Sequence, residues 1–73
     1  MPRLPRISGR AARRAFERAG WVYVLTRGDH MKLAQRGKRR PLAVPDYDIL
    51  PLSILRGLLR TAGLTVEEFI ALL

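Results

Sequence analysis

Seventy-three residues, 48% of them hydrophobic, suffice for one small domain with a single marginal core. The absence of cysteine excludes a disulfide framework and a thiolate metal site, and one histidine cannot supply the imidazoles that most zinc centres use. Fourteen Lys and Arg against six Asp and Glu give a net charge of +8, which points to a polyanionic partner: a phosphate backbone, an acidic membrane or an acidic protein.

The apolar runs are too short to cross a bilayer, and Met1-Pro2-Arg3-Leu4-Pro5-Arg6 lacks the apolar stretch of a secretion signal. The expectation is therefore a soluble, cytoplasmic chain, residues 1–73 forming one domain. Ser8 supplies an N-cap hydroxyl for a helix over about Gly9 to Ala19, and Gly20 stops it. Ala12, Ala15, Phe16 and Ala19 recur at helical spacing and form the core stripe, with Arg10, Arg13, Arg14 and Arg18 on the other faces. That alanine-lined stripe offers little to insert into lipid, which ranks the membrane last among the partners.

Trp21-Val22-Tyr23-Val24-Leu25-Thr26 is rich in β-branched and aromatic residues and reads as the first strand. Gly28-Asp29 makes a tight turn or bulge, and His30 to Gln35 alternates as a half-buried strand does. Alternation turns Met31 and Leu33 to the core, so His30 and Lys32 point outward together. Arg36-Gly37-Lys38-Arg39-Arg40 is too charged to be anything but a second turn. Pro41 to Val44 is a short third strand with Leu42 and Val44 on one face, ended by Pro45. The sheet is then an antiparallel meander with one side under helices and the other in water.

An irregular connection through Asp46, Tyr47 and Asp48 leads to a helix from about Ser53, its expected N-cap, to Ala62, stopped by Gly63. Ile54, Leu55, Leu58, Leu59 and Ala62 form its apolar stripe, with Arg56 and Arg60 outside. Gly57 costs this helix about 1 kcal/mol relative to alanine unless something packs closely there. Thr65-Val66-Glu67-Glu68 is a capping box for a last short helix, whose Val66, Phe69, Ile70 and Leu73 are expected to face inward.

His30 is the one side chain able to exchange a proton near neutrality, in a chain whose cations can only hold charge. A lone histidine is by itself ordinary; its setting gives it interest. Six basic residues precede Trp21, and six more run from Arg27 to Arg40, so in sequence the charge brackets the histidine.

The order helix, three strands, helix and short helix, with Gly-x-His between the first two strands, resembles the HicA toxin family of bacterial toxin–antitoxin pairs. The similarity rests on Leu4-Pro5 with Ser8-Gly9, on Ala19-Gly20 followed by Trp21, on Gly28-Asp29-His30, on Val44-Pro45, and most specifically on the run from Leu55 to Phe69. Asp29 stands where that family often has serine, Tyr47 where a second histidine often follows the proline, and Ser53-Ile54 replaces the usual Gly-Thr. The resemblance implies an α+β fold similar to double-stranded-RNA-binding domains and an mRNA-cleaving endoribonuclease needing no metal or other cofactor. It also implies an antitoxin of the HicB type as partner, covering the site.

Carried to this chain, the resemblance assigns catalysis to His30, with Gly28 shaping the turn; the chemistry of the neighbouring side chains adds the expectation that Asp29 favours the charged imidazole and that Lys32, with Arg27, offsets phosphate charge. Arg27, Lys32, Arg36, Lys38, Arg39 and Arg40, with Arg10 and Arg14 from the first helix, are the expected RNA contacts. The alternative is a basic module that grips RNA or an antitoxin without cutting, since basic residues more often serve for grip than for chemistry.

Overall fold

The structure is a computed structural model and describes residues 3–73. Its elements are α1 (Gly9–Arg18), β1 (Val22–Arg27), β2 (His30–Ala34), β3 (Leu42–Pro45), α2 (Leu52–Ala62) and α3 (Val66–Ala71). The strands form one antiparallel sheet in the order β1-β2-β3, an α+β arrangement consistent with the double-stranded-RNA-binding-domain type. Among the described residues no helix is long and apolar enough to cross a membrane.

One face of the sheet carries Met31, Leu33, Leu42 and Val44, all buried against Ala12, Ala15 and Phe16 of α1 and Leu55, Leu58 and Leu59 of α2. Phe69 closes the core from α3, its ring 5.2 Å from that of Phe16 between centroids. The helices thus cover a single face. Burial in β2 alternates as its sequence dictates, which leaves His30, Lys32 and Ala34 on the other side.

Ser8 caps α1 by accepting a hydrogen bond from the Ala11 N–H at 3.1 Å. The helix stops where the Gly20 and Trp21 N–H groups turn back to the carbonyls of Glu17 and Phe16, with Gly20 at φ +99°. Trp21 therefore belongs to that termination, buried, and β1 starts one residue after the expected position. Thr65 and Glu68 form the reciprocal capping box, and the Thr65 backbone N–H, then its side chain, hold the Glu68 carboxyl below its usual range.

Three local expectations need correction. Ser53 is not an N-cap: α2 begins at Leu52 after Pro51, whose fixed φ of −57° suits a helix entrance and which makes no side-chain cap bond. Pro45 is the last residue of β3, where a missing N–H is tolerated, so the strand runs one residue further than expected. Leu73 is exposed, because α3 ends at Ala71 and helical periodicity does not reach it. At Gly57 nothing lies within 4 Å of an added Cβ, so α2 keeps the full cost of that glycine.

Candidate active site

His30 opens β2 immediately after the two-residue turn Gly28-Asp29. Arg27 and His30 face each other across the hairpin, and Gly28 takes φ +62° in the first turn position. A glycine of positive φ first and a negative-φ residue second is the pattern of a type II′ hairpin turn, whose twist matches the strands it joins. The turn thereby fixes which residue starts β2 and which side of the sheet it faces. This turn type also accounts for the reversed Gly-Asp order.

The imidazole lies on the open face, its side chain 48% exposed. Asp29 Oδ1 stands 3.0 Å from Nδ1, so the carboxylate lies against one ring nitrogen of the exposed imidazole. Arg27 is its direct neighbour on β1, and Lys32 lies two residues along β2 on the same face, about 7 Å away at ordinary strand rise. Two cations and a protonatable ring therefore share one wet surface.

The backbone beneath this group is tied down from three directions. The Asp46 N–H donates to the Asp29 carbonyl at 2.7 Å, carrying the β2–β3 pairing one residue past His30 and Pro45. Asp46 in turn accepts a fork from Arg10, with Nε 3.1 Å from Oδ1 and Nη2 3.3 Å from Oδ2. The Gly9 N–H donates to the Tyr47 carbonyl at 2.8 Å, and a Cβ on Gly9 would overlap the Pro45 carbonyl oxygen. The start of α1 thus sits hard against the strand end that pairs with His30.

The expected cations divide in space. Arg27 and Lys32 join His30, whereas Lys38, Arg39 and Arg40 lie past the other end of β2, lining a recess with Arg60 and Thr61. Arg36 is exposed in the same connection. Arg10 pairs with Asp46 while its side chain stays 72% exposed. Arg14 lines a groove of about 310 Å³ between α1 and the β1–β2 hairpin, together with Arg10, Arg13, Glu17, Thr26, Met31 and Asp46. Arg13 there stacks on Tyr23, its guanidinium carbon 3.9 Å from the ring centroid, and pairs with Glu17 at 3.5 Å. Arg18 donates to the Leu72 carbonyl at 2.7 Å and secures the C-terminal segment.

Sequence reasoning missed Asp46 and Gly9. Both act through partners distant in sequence, Arg10 and Asp29 for Asp46 and Pro45 for Gly9, and no local pattern announces such contacts. It also missed that β1 presents Val22, Val24 and Leu25 to solvent. Alternation alone turns Val22 and Val24 away from the helices, and the register shift between Tyr23 and Leu25 adds Leu25, which pairs with Lys32 on the open face.

Comparison with known proteins adds one finding. The model of a family described as "HicA toxin of bacterial toxin-antitoxin" matches residues 9–64, from the first residue of α1 to just past α2, with His30 inside the match. No curated protein matches the chain.

Proposed function

The chain belongs to the HicA toxin family of bacterial toxin–antitoxin systems, and from that premise we propose that it is an endoribonuclease acting on mRNA through His30. The observation that carries this reading is the placement of His30. It is exposed on the open sheet face, flanked by Arg27 and Lys32, with Nδ1 against Asp29. RNA supplies its own nucleophile, so cleavage asks of the protein only a base, charge stabilisation and alignment.

Nε2 of His30 takes the proton of a ribose 2′-hydroxyl, and the 2′-oxygen attacks the adjacent phosphorus. The bond from phosphorus to the 5′-oxygen breaks, and water on the open face protonates the leaving oxygen. The imidazolium then returns its proton to the hydroxide left behind. Products are a 2′,3′-cyclic phosphate and a 5′-hydroxyl. Lys32 and Arg27 offset the charge that builds on the phosphorane, and Gly28 sets the position of the ring through the turn. An antitoxin of the HicB type, covering the open face in the cytoplasm, completes the reading; the exposed Val22, Val24 and Leu25 give it apolar surface to cover.

The test is purified wild type beside His30→Ala on a long RNA in excess EDTA. Loss of a positioned acid–base group lowers the cleavage rate by roughly 10²- to 10⁴-fold. Equal degradation by both proteins, or by neither, overturns the enzyme and leaves a basic binding module.

A further inference from the structure

Past the end of β2 remote from His30, Lys38, Arg39 and Arg40 meet Arg60 and Thr61 of α2 around a recess of about 390 Å³. No carboxylate lines it, and among the described residues none of its four cations is within ion-pair distance of an acidic group. This is unlike the groove beside α1, where Glu17 and Asp46 neutralise Arg13 and Arg10. Four like charges held together without counterions repel one another, a cost that a bound polyanion removes.

The C-terminal turn of α2 gathers cations, as the negative end of a helix favours: here the Gly63 and Leu64 N–H groups bond back to the carbonyls of Arg60 and Leu59 at 3.3 and 3.0 Å. Those carbonyls are covered, and Lys38 reaches over the same turn, its Nζ 3.4 Å from where a Cβ on Gly63 would stand. Arg60 and the Thr61 hydroxyl supply forked and single donors. The recess contains no aromatic or branched aliphatic side chain of the kind that anchors a protein interface, so its chemistry favours phosphodiesters over an acidic polypeptide.

We propose that Lys38, Arg39, Arg40 and Arg60 form a second binding site for the phosphodiester backbone of RNA, separate from the histidine. Its role in cleavage rests on the nuclease reading; its binding does not. The connection is closed by the Lys38 N–H donating to the Gln35 carbonyl at 3.0 Å, which places the recess beyond Gln35. Five residues of strand from His30 to Gln35 span about 17 Å. A stacked strand rising about 3.4 Å per nucleotide needs at least about five nucleotides to cover that, and more to pass round the sheet to the α2 side. RNA of three nucleotides on His30 cannot reach the recess, whereas one of fifteen can.

The experiment measures binding of two fluorescent 2′-O-methyl RNAs, of three and fifteen nucleotides, which lack the free hydroxyl and cannot be cleaved by this route. The full chain is compared with Lys38→Gln/Arg39→Gln/Arg60→Gln and with an equal-charge control, Arg3→Gln/Arg6→Gln/Arg56→Gln, whose positions lie outside the recess lining. The recess triple is expected to bind the fifteen-mer at least tenfold more weakly near 0.1 M salt. The slope of log K against log salt becomes shallower by about 0.7 for each phosphate no longer neutralised. The trimer, which engages one site at a time, loses less than the fifteen-mer, and the control changes less. Equal weakening in both triples reduces the effect to net charge and overturns the site. So does unchanged RNA affinity combined with lost binding of polyglutamate, which assigns the recess to an acidic protein. Recess-dependent binding in a protein that cleaves nothing upholds the site while the nuclease reading falls.

Discussion

The two ends of β2 are built on opposite plans. At the His30 end the turn is two residues long, its carbonyl is held by Asp46, Asp46 is held by Arg10, and Gly9 admits the start of α1 against Pro45. At the other end an exposed connection carries four cations, Arg36 and Lys38 to Arg40, which form no ion pair among the described residues, and a backbone bond to Gln35 ties it down. Proton transfer needs atoms held to a fraction of an ångström, whereas attraction of a phosphate chain needs charge and tolerates latitude. The two stretches are thus tied down by different sets of contacts, a difference that matches the tasks proposed for them.

The largest effect on this contrast is expected from Gly9→Ala. Its methyl meets backbone rather than a side chain that could swing aside, so α1 must retreat from β3. A loss of about 3 kcal/mol is the scale of such overpacking, large for a domain of this size, and a urea titration reads it as a lower midpoint with the slope retained. A midpoint equal to wild type would mean that this close approach does not hold the site.

Gly28→Ala and Gly37→Ala sharpen the comparison as a pair. Both glycines have positive φ, +62° and +84°, and neither has an atom within 4 Å of an added Cβ, so each change costs about 1 kcal/mol of backbone strain and no more. Their functional outcomes separate. Only Gly28 sets the position of His30, so only Gly28→Ala slows cleavage of a short RNA, while Gly37→Ala leaves that rate alone. Equal loss of rate in both would dissolve the distinction between the two ends.

The smallest effect belongs to the free cations. Single changes Lys38→Gln, Arg39→Gln and Arg40→Gln break no ion pair, and each is expected to alter unfolding free energy by less than about 0.5 kcal/mol. A much larger loss would show that these residues support the fold.

What was legible in the sequence follows the range of the interactions. The outward aim of His30 and Lys32 is a local fact of alternation, and so were the caps at Ser8 and Thr65; all three stand as read. Helix and strand ends slipped by a residue where two signals competed, as at Pro51 against Ser53, or where periodicity was extended past its element, as at Leu73. The cations bracketing His30 in sequence part company in space because β2 lies between Arg27 and the Lys38–Arg40 run. Arg10 pairs with Asp46 across 36 positions, a contact that only the closed fold creates.

The central claim is that His30 Nε2 removes a ribose proton so that RNA cuts itself. Mapping the end groups of one end-labelled RNA after incubation in EDTA tests it most directly. The account predicts fragments ending in 2′,3′-cyclic phosphate with 5′-hydroxyl partners, produced by wild type and reduced at least a hundredfold in His30→Ala. Fragments bearing 5′-phosphates, or cyclic ends formed equally fast without the imidazole, would contradict it.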